Sequence, residues 1–155
     1  MDRKFNEDNL GVLLEKDEVQ LCGFKIGNGH YAVPVLDVQE VIRPQKLTPI
    51  PLAPDYIDGL INLRGQIVTA INMRKLFKLE DTHNETYMNI IVRSDDNLYS
   101  LVVDEILDVM EVPTKSFENT PDTLDLHIRG FISGVFKLKK QLLVLLNLEK
   151  IINIE

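Results

Sequence analysis

Apolar residues come in short runs of about five to nine positions, separated by turn-forming residues, and that rhythm predicts strands joined by hairpins. From Glu18 onward "VQLCGFKIGNGHYAVPV" carries two such runs around Asn28-Gly29, a pair that tolerates the positive φ of a tight turn, and predicts the first hairpin. In "PVLDVQEVIRP", Val35, Val38, Val41 and Ile42 fall at near-helical spacing between Pro34 and Pro44, which predicts a short helix. The proline-rich "TPIPLAPDY" predicts extended loop. Leu60–Leu63 and Ile67–Ile71 predict a second hairpin around Arg64-Gly65, followed by a short helix capped by Asn72 with Met73, Leu76 and Phe77 on one face. "MNIIVRSDDNLYSLVV" predicts a third hairpin turning at Asp95 to Asn97, and "DEILDVMEV" again has a mixed helical spacing. Pro113 to Arg129 reads as a long polar connection before the closing "GVFKLKKQLLVLLNLEKII". Residues 1–17 are polar and are expected to form a flexible tail, leaving 18–155 as the folded domain.

The chain also resembles itself. "YAVPVLDVQEVI" from Tyr31 aligns without a gap on "YSLVVDEILDVM" from Tyr99, pairing Val35 with Val103 and Glu40 with Asp108. "GLINLRGQIVTAINMRKLF" from Gly59 aligns without a gap on the segment from Gly134, pairing Leu63 with Leu138, Gln66 with Gln141 and Asn72 with Asn147. Two ungapped matches in the same order predict a duplicated small β unit, and hence two similar β subdomains packed together. Where the first copy has Arg64-Gly65 the second has Lys139-Lys140. The hairpin therefore does not require an arginine, and Arg64 is expected to serve something other than the fold.

Composition narrows the function. At 155 residues with 45% hydrophobic and 26% charged positions, the chain can bury about 70% of its unfolded surface around a real core. A net charge of −7 argues against nucleic acid as a partner, because phosphate tracking needs clustered Lys and Arg. The single Cys22 allows neither an internal disulfide nor a cysteine-based zinc site and reads as a small core residue. The apolar run near the N-terminus is too short for a signal sequence, and no window reaches the length of a membrane span, so a reducing, cytoplasmic location without membrane insertion is expected. His30, His83 and His127 have no metal-ligand spacing and read as surface residues. Asp104, Glu105, Asp108 and Glu111 alternate with apolar residues without an EF-hand pattern and read as a solvated helix edge. No phosphate loop, nucleophile elbow or zinc-protease motif occurs, so no catalytic residue, metal or cofactor is expected.

From about Val19 to Ile152 the sequence resembles the CheW family, the scaffold proteins of bacterial chemotaxis. The resemblance is carried by "YAVPVLDVQEVI", "TPIPLAPDYIDGLINLRGQIV", "LVVDEILDVMEV" and "LLVLLNLEKII", in order and spacing, with "INLRG" the most specific. Ala70 and Asn72 depart from residues common in the family, and Asn still caps a helix. The resemblance implies two five-stranded SH3-like β-barrels and a non-catalytic adaptor. It implies two partners, the cytoplasmic tips of chemoreceptors and the regulatory domain of the histidine kinase CheA, at membrane-associated receptor arrays. It points to Val38, Glu40, Arg64, Ile67, Ile106 and Val109 as the receptor-binding residues, in an apolar groove between the subdomains, and to Leu47 and its loop as the kinase face. The other readings of the chain are a module of a related protein fused to a phosphorylatable receiver, and a small-barrel ligand-binding domain.

Overall fold

The computed structural model describes residues 7–80 and 86–153, so His83 lies outside the described residues. After helix α1 (Glu7–Leu14) come strands β1 (Glu18–Ile26) and β2 (Gly29–Pro34), a single 3-10 turn at Val35–Asp37, and β3 (Val38–Ile42). A loop leads to β4 (Ile57–Leu63), β5 (Gln66–Asn72) and α2 (Met73–Leu76). Then follow β6 (Met88–Ser94), β7 (Asn97–Val103) and β8 (Glu105–Pro113), a 3-10 turn at Thr114–Ser116, and β9 (Phe117–Glu118). The chain continues through α3 (Leu126–Arg129), β10 (Ile132–Lys137), β11 (Leu142–Leu146) and α4 (Leu148–Ile152).

The strands form two sheets, β8-β1-β2-β11-β10-β9 and β3-β6-β7-β5-β4. Among the described residues, no ladder closes either sheet into a barrel, and the first has six strands rather than five. Each sheet nevertheless curls until a hairpin tip meets the opposite edge. Arg64, at the tip between β4 and β5, pairs with Glu40 on β3, and Gln141, at the tip between β10 and β11, reaches Met110 on β8.

Two expected helices are strands, for one physical reason. On β3, Val38 lies opposite Val92 and Val41 opposite Ile90, with a register shift between Val38 and Glu40. On β8, Ile106 lies opposite Phe24 and Val109 opposite Cys22, with the same kind of shift. A β-bulge puts residues three apart on the same face of a strand, and three-residue spacing is what imitates a helix in the sequence. The first hairpin turns at Gly27-Asn28 rather than Asn28-Gly29, because Ile26 pairs with Gly29 and it is Gly27 that takes φ +60°. The segment expected to be a tail contains α1, whose Leu10, Leu13 and Leu14 pack against the core of the first sheet.

The duplication is visible in the topology, with the halves interleaved. β1–β2–β3 corresponds to β6–β7–β8, yet β3 pairs with β6 and β8 pairs with β1, so each copy lends its third strand to the other. Each sheet then completes itself with one β-hairpin, Gly59's in the second sheet and Gly134's in the first. Those two glycines do the same job. Thr48 bridges to Leu60 beside Gly59, and Glu118 pairs with Val135 beside Gly134. A side chain on Gly59 would meet the Thr48 carbonyl oxygen at 2.6 Å, and one on Gly134 the Glu118 oxygen at 2.7 Å. Asn72 and Asn147 likewise both cap a short helix, accepting from the N–H of Lys75 and Lys150.

Both faces of the central strands are covered, which is why those strands read as apolar runs rather than strict alternation. Phe24, Tyr31, Val33, Ile71, Ile90 and Leu101 belong to one core shared by the two sheets. The other face of the first sheet buries Leu21, Ala32, Phe136 and Leu143, and that of the second buries Ile61, Val68, Ala70 and Ile91.

Candidate functional site

Arg64 and Gly65 are the two central residues of the β4–β5 turn, and both have positive φ, +52° and +87°. That is the conformation of the turn whose twist suits a two-residue hairpin; Gly65 adopts it freely and Arg64 at a cost. Asn62 supports the turn by accepting the Gly65 N–H at 2.9 Å. The arginine is thereby held at an exposed tip, where its guanidinium reaches across to Glu40. The Arg64 side chain is 66% exposed and that of Glu40 28%. An ion pair of this exposure contributes about 0–1 kcal/mol, too little to explain why the fold keeps an arginine in a strained backbone position.

The expected receptor-binding residues divide into three groups. Glu40 and Arg64 are brought together directly. Ile67 on β5 and Val109 on β8 are both 60% exposed, far more than aliphatic side chains that serve a core. Val38 and Ile106 are half-buried against the core shared by the sheets, one reaching it from β3 and the other from β8, at corresponding positions of the duplicated unit. Leu47 is half-buried against the core of the second sheet. In the loop that follows it, Leu52 is fully exposed with φ +65° and Ile50 is 36% exposed.

The acidic segment is corrected from a helix edge to the edge strand β8 and the residue before it. Asp104 is not simply solvated. Its carboxylate takes a two-pronged bond from Arg74, Nε to Oδ1 and Nη2 to Oδ2 at 2.8 Å each, and accepts the Gly27 N–H at 2.7 Å. Arg74 also donates to the Glu80 carbonyl at 2.7 Å, so the pair ties α2 to the β1–β2 turn and to the crossing from β7 to β8. Sequence reasoning missed this junction because its members are 30 and 77 positions apart. Glu111 on β8, opposite Gln20, lies diagonally across from Glu18 on β1, and its hydrogen bond and charge raise the Glu18 carboxyl above its ordinary value. Burial pushes the Cys22 thiol up, away from the reactive thiolate. Among the described residues no three His, Cys, Asp or Glu side chains are grouped to hold a metal ion, and no helix is long and apolar enough to cross a membrane.

What this arrangement offers is contact chemistry: a charged tip, exposed aliphatic side chains on two sheets, and no convergent acid, base or nucleophile among the residues described. Comparison with known proteins agrees with that character. The chain is 29% identical to the chemotaxis protein CheW of Helicobacter pylori over 147 residues, covering 94% of this chain and 85% of that protein. It is 29% identical to the CheW of Bacillus subtilis, covering 85% of each. Its fold matches the crystal structure of the scaffolding protein TtCheW from Thermoanaerobacter tengcongensis with a TM-score of 0.80 and 26% identity, over 88% of this chain and 94% of that one. The model of the CheW-like domain matches residues 20–155, and the chain belongs to that family of chemotaxis scaffolds.

Proposed function

We propose that this protein is a non-catalytic adaptor that holds the cytoplasmic tip of a chemoreceptor on one face and the regulatory domain of a CheA-type histidine kinase on another. The observation that carries the reading is Arg64. The second copy of the hairpin folds with Lys139-Lys140, so the fold does not require the arginine, yet it stands exposed on a strained turn beside Glu40 and near the exposed Ile67 of the same hairpin. A guanidinium offers a planar fork of donors suited to carboxylates and carbonyls, and arginine is enriched among residues that dominate binding. The receptor-binding set is Val38, Glu40, Arg64, Ile67, Ile106 and Val109. The kinase face is the loop that begins at Leu47, which anchors it to the core while Ile50 and Leu52 stay exposed.

Signal then passes as a change in the relative position of receptor and kinase, with the adaptor as a spacer. Each contact buries about 1,200 Å² or less, the range of transient signalling contacts. Sedimentation velocity of this protein with a receptor tip fragment and the kinase regulatory domain tests the reading. A single species containing all three is expected, formed only when the adaptor is present. Mutually exclusive binding of the two partners would contradict it, as would turnover of a substrate by the purified protein.

A further inference from the structure

The interleaved duplication gives the Arg64 tip a counterpart on the other sheet. Lys139 corresponds to Arg64 at an offset of 75, and Asp108 to Glu40 at an offset of 68. The counterpart turns differently, since neither Lys139 nor Lys140 takes the positive φ of Arg64 and Gly65, yet it returns to an edge strand in the same way. Leu138 N–H donates to the Gln141 carbonyl at 3.0 Å across the β10–β11 turn, and Gln141 Nε2 approaches Met110 Sδ at 3.9 Å, so this tip also returns to the opposite edge strand.

It differs in what its charges do. Arg64 is engaged by Glu40, and Lys137, two residues before Lys139, by Glu118 at 3.3 Å. Lys139 and Lys140 are both exposed, and among the described residues neither has an ion-pair partner; nor does Asp108. Aliphatic surface accompanies them, Val109 at 60% and Leu142 at 38% exposure.

We propose that the β10–β11 tip, with Lys139, Lys140 and Leu142, and the neighbouring Val109 of β8 form a second interaction surface, for a carboxylate-bearing segment of a protein partner. The equivalent tip shows which group a cation takes in this position, the carboxylate of Glu40. An ammonium is a compact point charge, suited to single carboxylates rather than to the forked recognition open to Arg64. Polyanions are disfavoured, since two lysines on an acidic molecule are too few to track a phosphate backbone or hold an anionic membrane. The surface shares Val109 with the receptor-binding set proposed above, but its lysines and Leu142 lie outside both the receptor and the kinase contacts.

A titration of the full ¹⁵N-labelled chain decides it. The probe is a synthetic 18-residue helical peptide with glutamates four positions apart beside a leucine, and its glutamine version is the control. Saturable shifts are expected at Val109 and Lys139–Leu142, absent with the glutamine peptide and weakened by added salt. Affinity should fall at least tenfold in the Lys139→Gln, Lys140→Gln double variant and stay unchanged in Arg64→Ala. Both lysines are exposed, so the double variant should melt like the parent. Shifts confined to the Arg64 tip, the absence of saturable shifts, or equal affinity in the double variant would overturn the proposal. So would shifts at these residues that depend on protein concentration without peptide, because the occupant would then be a second copy.

Discussion

Leu52 shows what a single residue can reveal. A leucine at φ +65° forgoes the favourable backbone region, at about 1–2 kcal/mol, and its fully exposed side chain recovers none of that through packing. Leu52→Asn should therefore raise the thermal midpoint by several degrees, since asparagine tolerates this conformation; an unchanged or lower midpoint in a calorimetric scan would refute that account. Glu18 gives a pH-dependent case. Its carboxyl is raised by Glu111, so the favourable proton-sharing state is present in acid and is lost as pH rises through the raised value, leaving two like charges. Glu111→Gln should then return the Glu18 titration toward the ordinary range and make the protein more resistant to urea at neutral pH than the parent, with the difference shrinking in acid. An equal difference at both pH values would show that the repulsion is not the cause. Neither residue stood out in the sequence, because a backbone angle and a cross-strand neighbour are set by the fold. Arg64 did stand out, since its replacement in the second copy is visible without coordinates.

At the level of elements, the hairpins were legible and β3 and β8 were not. Tight turns announce themselves through glycine, asparagine and aspartate flanked by apolar runs, and the hairpins at Arg64-Gly65 and Asp95-Asp96 stand where those signals put them. A bulge hides a strand because it replaces the period of two by a step of three, as from Val38 to Val41 and from Ile106 to Val109. The repeated glycines carry a prediction here. Gly59→Ala places a methyl group against the Thr48 carbonyl at a φ of +141°, and Gly134→Ala places one against the Glu118 oxygen. Each should cost about 2 kcal/mol or more in urea unfolding, because the carbon added at Gly59 meets backbone that cannot rotate away, and the one at Gly134 meets both the Phe117 ring, packed edge-on against Phe136, and the Glu118 carbonyl. Gly130→Ala, with open space around the added carbon, is the comparison and should be close to neutral. If all three variants unfold alike, the crossing segments are not what the glycines accommodate.

For the molecule as a whole, the two matching segments were enough to foresee two like β units with one hairpin in each, but not that they exchange their third strands. That exchange is a long-range pairing, β1 with β8 across some 90 residues, and no local pattern encodes it. Its consequence is functional: Val38 and Ile106 arrive at one shared core from opposite sheets, and the two hairpin tips come to differ in their backbone turn and in the charges they carry. The central claim is that Arg64 serves recognition rather than folding, and calorimetric titration of a receptor tip fragment with Arg64→Ala tests it most directly, with Lys139→Ala as the reference. Arg64→Ala should melt close to the parent and bind the receptor fragment about 2 kcal/mol, or roughly 30-fold, more weakly, while Lys139→Ala should have a much smaller effect. Parent-like receptor binding by Arg64→Ala, or loss of the fold in that variant, would contradict it.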